Sequence, residues 1–327
     1  MGTISPCSVP TLRDRIRGQI VPTWRHESAG QSGAVEACQA CGVDELIWDA
    51  EVTLTRPVLI AAFAGLFDVA EVATSAARWL LEHHDNELIA SIDPEGFFDF
   101  TKQRPRVSLD DDDVRTISWP ANELRVIRTG GEHDLVLLSG VEPHLRWAGF
   151  AGLVIDACEE LDVELFVTMG AVPDAIPHTR TPMVFGSTTT PGLGRRLGLS
   201  KPQYQGPTGV VGVLHGLADD RGIPAIALRS PVPHYALGVP HPKAWQALIR
   251  HLEHVTATPM ASGELADTIR EWQHRHDEAV ADDPQVAGYV RMLEQQWDQR
   301  TEAAITSGDD LAAEFENFLR DRPDRDD

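Results

Sequence analysis

Polar and charged side chains recur where the predicted strands of this sequence end, and these are the residues whose types could do chemistry. They are Asp68, Glu142, His144, Arg146, His178, Thr179, Arg180, His234 and Tyr235. Because ligands of an open α/β sheet bind beyond the carboxyl ends of its strands, we expect these side chains to line a common pocket. Glu142 and His178 are the candidates for a catalytic acid or base.

A second feature is the segment Gly206–Gly209, which precedes a predicted helix. The free amides of a helix start suit an anion, so we predict an anion at Thr208 and Gly209, with Arg146 or Arg180 as counter-charge. Helix capping by Thr208 is the alternative. A purely structural role also stays open for Glu142 and the histidines, because such groups in proline-rich loops often bond neighbouring backbone.

Metal, cofactor and redox chemistry are not indicated by the motifs. His178 and His234 lack the local spacing of known metal sites, so we predict no metal and no cofactor. Cys38 and Cys41 form a single Cys-x-x-Cys with no second pair, whereas a structural zinc site needs four ligands. Cys158 lies on the apolar side of a predicted helix, where a buried thiol is usual. The sequence also lacks the nucleophile-elbow, phosphate-loop and dinucleotide-binding motifs.

The elements that would position these residues alternate between strand and helix. Short apolar runs predict strands at residues 57–63, 87–92, 134–141, 163–169 and 223–228. Apolar residues spaced three and four apart predict helices at residues 68–84, 145–161, 208–221 and 242–255. This alternation predicts an α/β fold in which helices cover both faces of a mostly parallel sheet.

Two further segments depart from this alternation. Residues 107–109 and 114–119 read as a β-hairpin whose four aspartates, Asp110 to Asp113, belong at an exposed tip. Towards the carboxyl end, Ser262 is the predicted cap of a helix, and a second helix follows Pro284. Their apolar stripes contain Leu265, Ile269, Trp272 and His276 on the first helix, and Val286, Tyr289, Val290, Leu293 and Trp297 on the second. We expect this helical hairpin to pack on its own α/β domain rather than on another protein.

Composition and charge limit the function classes. The 327 residues carry 28 basic and 50 acidic side chains, a formal charge of −22, which argues against a nucleic-acid binder. No apolar run approaches the ~20 residues of a membrane span, and no signal-peptide pattern opens the chain, so we predict a cytoplasmic protein. Residues 262–327 hold 7 basic and 18 acidic groups, which favours a protein partner with a basic surface.

The predicted organisation has four parts: an irregular arm (1–45), an α/β/α core domain (46–257), a helical extension (258–320) and a frayed tail (321–327). Several motifs of the core and extension resemble the proteasome assembly chaperone 2 family, in its actinobacterial branch. They are Pro57–Gly65, Ile92–Phe100, Gly140–Trp147, Pro177–Arg180, Tyr204–Gly212 and Val232–Tyr235. The chain resembles a divergent member, because Leu66, Gly96, Phe98 and His144 stand where the family usually has Trp, Asp, Tyr and Asn.

The resemblance implies a three-layer α/β/α sandwich similar to the nucleoside phosphorylases, to which the sequence adds the C-terminal helical hairpin, and frequent assembly as trimers. Eukaryotic relatives are proteasome assembly chaperones. Two hypotheses follow. The favoured one is a non-catalytic homo-oligomeric interaction or assembly factor, because the motifs complete no known catalytic constellation. The alternative is a small-molecule enzyme or sensor with an anion or nucleoside-like pocket beyond the sheet.

Overall fold

A computed structural model describes residues 45–110 and 113–304, and an eight-stranded sheet lies at its centre. The strands in chain order are β1 (Leu46–Trp48), β2 (Val58–Ala64), β3 (Asn86–Ile92), β4 (Arg106–Leu109), β5 (Arg115–Ser118), β6 (Asn122–Ile127), β7 (Leu135–Val141), β8 (Leu165–Asp174), β9 (Phe185–Ser187) and β10 (Ala225–Pro233). The sheet order is β1-β3-β6-β7-β2-β8-β10-β9, and β4 and β5 form a separate two-stranded sheet.

The central sheet is mixed. Its four middle strands, β7, β2, β8 and β10, are parallel, whereas the outer pairs on both sides are antiparallel. The predicted parallel sheet is therefore confirmed at the centre, and the prediction missed β1, β6 and β9. Strands β8 and β10 also continue to Asp174 and Pro233, past the predicted ends at residues 169 and 228, because parallel pairing holds them together over nine residue pairs.

Helices cover both faces of this sheet. They are α1 (Val72–His83), α2 (Trp147–Glu160), α3 (Leu193–Leu197), α4 (Val210–Arg221), α5 (Pro242–Thr256), α6 (Ala266–Ala281) and α7 (Pro284–Ala304). Helices α1 and α5 pack on one face, and α2 and α4 pack on the other. The three layers predicted from the alternation of strands and helices are present.

Strand β2 shows why the sequences of the middle strands are continuous apolar runs. Ile60 points to the α1 and α5 layer and Leu59 to the α2 and α4 layer, and neither side chain is exposed. Successive residues of a strand face opposite sides, so a strand covered on both sides must be apolar at every position.

The C-terminal helices α6 and α7 pack on the rest of the molecule, as their apolar stripes predict. Trp272, Val290 and Leu293 are buried. The predicted cap at Ser262 is wrong: Ser262 begins a 3-10 turn, Ser262–Leu265, and α6 starts only at Ala266 without a side-chain cap. The hydroxyl of Ser262 instead donates to the carboxylate of Glu253, at 2.8 Å.

Several sequence-based predictions lie outside the described residues. They concern the arm with Cys7, Cys38 and Cys41, the end of the helical extension and the charged tail. Within residues 45–110 and 113–304, no helix combines the length and apolar character that crossing a membrane requires. Asp110 and Asp113 flank the hairpin tip and are exposed, in agreement with the prediction for those two residues.

Candidate functional site

The structure places the candidate residues in three separate groups rather than around one cleft. Glu142, Thr208, Gly209 and Asp68 lie around the starts of α4 and α1. His144 and Arg146 contact the loop after β3. His178, Thr179, Arg180, His234 and Tyr235 lie under the C-terminal helices. The expected common pocket is not formed, because each group is engaged by a different segment of the chain.

Glu142 binds the backbone at two places. The amide of Leu66 donates to its Oε2 at 2.9 Å, and the amide of Val210 donates to its Oε1 at 3.0 Å. The carboxylate thus ties the loop after β2 to the first turn of α4. A helix start attracts negative charge, and here the protein supplies that charge itself.

Two glycines make this arrangement possible. A Cβ at Gly209 would lie 2.6 Å from Oε1 of Glu142, and a Cβ at Gly65 would lie 2.6 Å from the Cβ of Glu142. The backbone can approach the carboxylate only where no side chain intervenes. Gly209 precedes α4 and no side chain caps the helix from this position, so Glu142 takes the place that the sequence assigned to Thr208 or to a bound anion.

Asp68 has a similar structural task at α1. Its carboxylate accepts hydrogen bonds from the amides of Ala73 and Thr74, at 2.8 and 3.1 Å, and from the hydroxyl of Thr74. Burial raises the pKa of Asp68, although these hydrogen bonds act in the opposite direction. The helix starts at Val72 rather than near residue 68, because Val69–Glu71 form a 3-10 turn and Ala70 and Glu71 have positive φ.

His144 and Arg146 contact the loop that follows β3. The amide of Asp99 donates to Nδ1 of His144 at 3.3 Å, and the guanidinium of Arg146 lies 5.1 Å from the ring centre of Phe97. Arg146 also forms a two-point ion pair with Glu45, whose second contact is 3.1 Å long. Arg146 therefore has an internal counter-charge, the carboxylate of Glu45.

His178 is only 1% exposed and joins the core to α6. Its Nδ1 and its backbone amide both lie 2.8 Å from the hydroxyl of Tyr235, and its Nε2 lies 3.0 Å from Oδ1 of Asp277. The ammonium group of Lys243 donates to the carbonyl of His178 at 2.9 Å. Burial lowers the pKa of His178, so this imidazole is neutral near pH 7. Both ring nitrogens have protein partners, and so little exposure leaves a substrate no access.

Neighbouring residues extend the contact to α7. The hydroxyl of Thr179 donates to Glu294 at 2.6 Å, and Arg180 forms a fork with Asp298 at 2.9 and 2.8 Å. Nε2 of His234 lies 3.1 Å from the hydroxyl of Tyr289. We call the contacts of His178, Thr179, Arg180, His234 and Tyr235 with α6 and α7 the helix clamp. These residues hold the C-terminal helices on the sheet.

A further cavity, of about 410 Å³, lies on the α4 side of β10, and no motif of the sequence indicated it. Its lining includes Arg229, His215 and Thr208. A signal was present in the sequence: Arg229 interrupts the apolar run Ala225–Val232, and a charge inside a buried strand calls for an explanation. The predicted strand ends at residue 228, so it does not include Arg229.

Metal ligation receives no support from the described ranges, 45–110 and 113–304, where no three His, Cys, Asp or Glu residues are arranged to hold an ion. Cys158 is buried as predicted, and burial raises the pKa of its thiol to about 12. A thiol with so high a pKa is not a nucleophile near neutral pH.

Comparisons with known proteins give the relationship of the chain. The model of the PAC2 family matches residues 62–280. A PAC2 family protein of Streptomyces avermitilis is 42% identical, with a TM-score of 0.67, over 72% of this chain and 99% of that one. A proteasome-assembly chaperone homologue of Mycobacterium tuberculosis is 34% identical, with a TM-score of 0.65, over 71% and 99%.

A third similar structure is a protein of unknown function from Mycobacterium tuberculosis. It is 28% identical, with a TM-score of 0.72, over 80% of this chain and 94% of that one. No curated protein matches the chain.

Proposed function

The chain belongs to the PAC2 family, and from this premise we propose that it is a non-catalytic, homo-oligomeric assembly factor with a proteasome-assembly-chaperone-like role. The resemblance to a Mycobacterium tuberculosis protein described as a proteasome-assembly chaperone homologue supports the assembly role. The proposed location is the cytoplasm. A trimer is the favoured oligomer, because the family resemblance implies it.

The observation that carries the proposal is an exposed apolar face on the hairpin of β4 and β5. Val107 pairs with Ile117 and Leu109 pairs with Arg115, and residues paired across two strands share a face. Val107, Leu109 and Ile117 are 53, 64 and 48% exposed. The opposite face is polar, with Ser108 paired to Thr116. An amphipathic hairpin that turns its apolar face to water is typical of an interaction surface.

We assign this face to another copy of the same chain. The hairpin stands apart from the central sheet, and Trp119 at its base contacts Phe100 with 4.9 Å between ring centres. A projecting element of this kind can reach a neighbouring subunit without disturbing the sheet. Burying the three apolar side chains stabilises such an interface by about 25 cal/mol for each Å² removed from water.

A non-catalytic role is supported by the partners of the candidate catalytic groups. Glu142 accepts two backbone amides, and His178 is enclosed by Tyr235 and Asp277. A general base must lie within hydrogen-bond reach of the proton it removes. Both groups already form hydrogen bonds with other parts of the protein.

A partner with a basic surface remains part of the proposal. Asp277, Glu294 and Asp298 are already paired with His178, Thr179 and Arg180 of the helix clamp, so we do not assign them to such a partner. Glu271 and Asp282 are exposed on α6 and just after it, and no ion pair occupies them among the described residues. These outward acids would face the partner.

The oligomeric state tests the proposal directly. We expect sedimentation equilibrium to give a multiple of the 35.9 kDa chain mass for the unmodified protein. Ile117→Lys places a charge on the apolar face, so it should shift the protein to the monomer. Thr116→Lys adds the same charge on the polar face of the same strand and should leave the oligomer intact. A monomeric unmodified protein, or equal effects of the two substitutions, contradicts the proposal.

The assembly role needs its own measurement. Purified actinobacterial proteasome subunits would be mixed with the protein, and the formation of complete particles followed on native gels. We expect faster assembly with the unmodified protein and with Thr116→Lys, and a smaller effect with Ile117→Lys. An assembly rate that the protein leaves unchanged contradicts the chaperone-like role, whatever the oligomeric state.

The enzyme or sensor hypothesis, with its nucleoside phosphorylase-like fold, stays a prediction. It uses Glu142 or His178 as acid or base and Arg146 or Arg180 as counter-charge. A metabolite screen by thermal melting tests it: a stabilising compound whose effect disappears in Glu142→Ala and Arg180→Ala would favour catalysis or sensing over the assembly role.

A further inference from the structure

The cavity beside β10 contains a positive charge that the described residues leave uncompensated. Nη1 of Arg229 donates to the carbonyl of Leu228 at 3.0 Å and lies 3.4 Å from that of Thr168. Its Nε and Nη2 have no hydrogen-bond partner, and no carboxylate pairs with it, within residues 45–110 and 113–304. Burial lowers the pKa of Arg229 to about 10, so the guanidinium is still charged at neutral pH.

The backbone is shaped to hold this side chain in place. Arg229 lies beside Gly170 of the neighbouring strand β8. A Cβ at Gly170 would lie 3.0 Å from Cδ and 3.1 Å from Nε of Arg229, so a side chain there would press on the arginine. The guanidinium carbon lies 4.8 Å from the ring centre of Phe67, which packs against the cation. Gly170 and Phe67 therefore fix the guanidinium at the wall of the cavity.

The other titratable groups of the cavity leave the charge of Arg229 unpaired. Burial, followed by the charge of Arg229, lowers the pKa of His215 to about 4, so the imidazole is neutral. Its Nε2 lies 2.8 Å from the hydroxyl of Thr168. Asp219 also lines the cavity, but it accepts a hydrogen bond from Thr189 at 2.5 Å and forms no ion pair with Arg229 among the described residues.

We propose that this cavity binds a small organic anion, whose phosphate or carboxylate pairs with Arg229 and whose apolar part contacts Val211 and Ala227. The half-buried guanidinium has no counter-charge among the described residues, and an anion that pairs with it in a fork gains charge-assisted hydrogen bonds. The volume, about 410 Å³, lies within the range of ligand pockets. The inference does not depend on the proposed assembly role, because hairpin and cavity lie on different elements.

Calorimetric titration of the full chain with phenyl phosphate, benzoate and inorganic phosphate tests the proposal. We expect at least one of the two organic anions to bind, and to bind more tightly than inorganic phosphate, because the cavity wall is partly apolar. The preferred organic anion distinguishes a phosphate site from a carboxylate site. Absence of binding by both organic anions at millimolar concentration overturns the proposal, as does equal binding of inorganic phosphate.

Two substitutions locate the binding. Arg229→Met removes the charge and should weaken binding by at least about tenfold, the usual effect of losing a charge-assisted hydrogen bond. Arg221→Met is the matched control, because Arg221 pairs with Glu159 on the surface of α4. Unchanged binding by Arg229→Met, or an equal loss in Arg221→Met, contradicts the assignment.

A steric variant guards against misfolding of the charge variant. Gly216 of α4 lines the cavity, and a Cβ there would meet no atom within 4 Å. Gly216→Leu should therefore fold, since leucine favours helix over glycine, and should obstruct the cavity while Arg229 is intact. In the absence of ligand, Arg229→Met should melt no lower than the unmodified protein. Tight binding by Gly216→Leu would place the anion elsewhere and overturn the proposal.

Discussion

At the scale of single residues, several side chains that resemble catalytic groups turn out to organise the backbone. Glu142 replaces a bound anion at the start of α4, and Asp68 caps α1. Both carboxylates satisfy amides that a helix start leaves without partners. The same chemistry that suggests a binding site, a carboxylate beside a helix start, here completes the fold.

Replacement of Glu142 tests this structural role. Glu142→Gln keeps the shape but turns an amide –NH₂ toward one of the two backbone N–H donors, so one hydrogen bond to Leu66 or Val210 must be lost. We expect the free energy of unfolding in urea to fall by about 2 kcal/mol. Glu132→Gln is the control, because that side chain is 70% exposed and, in the described part of the chain, its ion pair is with Arg56 at 3.7 Å. Equal unfolding midpoints for the two variants would refute the bridging role of Glu142.

Arg229 illustrates the opposite case at the same scale. The residue has no motif around it, yet its unpaired guanidinium makes it the strongest binding candidate of the described chain. A half-buried charge without a counter-ion among the described residues is more informative than a familiar residue type in a loop, because an anion can form charge-assisted hydrogen bonds with it.

At the scale of elements, the helix clamp connects the core to α6 and α7. Trp272 is the central contact: it is 3% exposed, its ring lies 4.2 Å from that of His241, and it stacks on His276 at 4.0 Å. The polar contacts of Arg180 and Thr179 lie at the rim of this packed area. Exposed ion pairs contribute little, so the apolar contact supplies most of the stability of the docked helices.

Removal of the indole measures this contribution. We expect Trp272→Ala to lower the free energy of unfolding by roughly 3–5 kcal/mol and to expose α6 and α7 to limited proteolysis. Trp119→Ala is the matched control, since that ring is 51% exposed on the hairpin, and its loss should cost at most about 1 kcal/mol. If both variants lose the same stability, Trp272 does not hold the helices.

At the scale of the whole molecule, stability depends on histidines that the fold keeps neutral. Burial, followed by the nearby charge of Lys243, lowers the pKa of His241 to about 3. Positive charge on His276 or His178 would act in the same direction. The unfolded chain therefore binds a proton, with a pKa near 6.5, over a range in which folded His241 does not. The contribution of neutral His241 to the free energy of unfolding is fully present above pH 6.5, and it is lost as the pH falls towards 3.

The pH dependence of unfolding checks this linkage. His241→Asn keeps a good helix-capping group at the start of α5 and removes the titration. Between pH 6 and pH 4 we expect the free energy of unfolding of this variant to fall less steeply than that of the unmodified protein. The two slopes should differ by about 1.4 kcal/mol for each pH unit. The control is His274→Asn, the same substitution at an exposed position. Parallel slopes for all three proteins contradict the assignment to His241.

The distribution of charge is also a property of the whole molecule. The C-terminal part carries half of the net charge of −22 by sequence, which suggested an acidic face for a partner. The structure divides this charge: Asp277, Glu294 and Asp298 hold the helices on the core, and other acids face outward. The net charge alone cannot predict this division, because it does not say which partner each side chain has.

The sequence by itself determined the secondary structure that rests on local periodicity. Local periodicity predicts which faces are buried, because a strand repeats every two residues and a helix every 3.6. This holds for the apolar run of β2, the spacing in α1 and the stripes of α6 and α7. The hairpin of β4 and β5 was also legible from its acidic tip. The family followed from the same segments, through motifs that stand in order along the chain, and the comparisons confirm it.

Only the tertiary structure decided which distant residues meet. Glu142 reaches the start of α4 from 68 residues away, Arg180 meets Asp298 across 118 residues, and Arg229 extends over Gly170 of a neighbouring strand. These contacts depend on the order of strands in the sheet and on where the C-terminal helices dock. Local periodicity specifies that a face is buried but not what buries it, so the same polar residues were compatible with one pocket until the sheet order separated them.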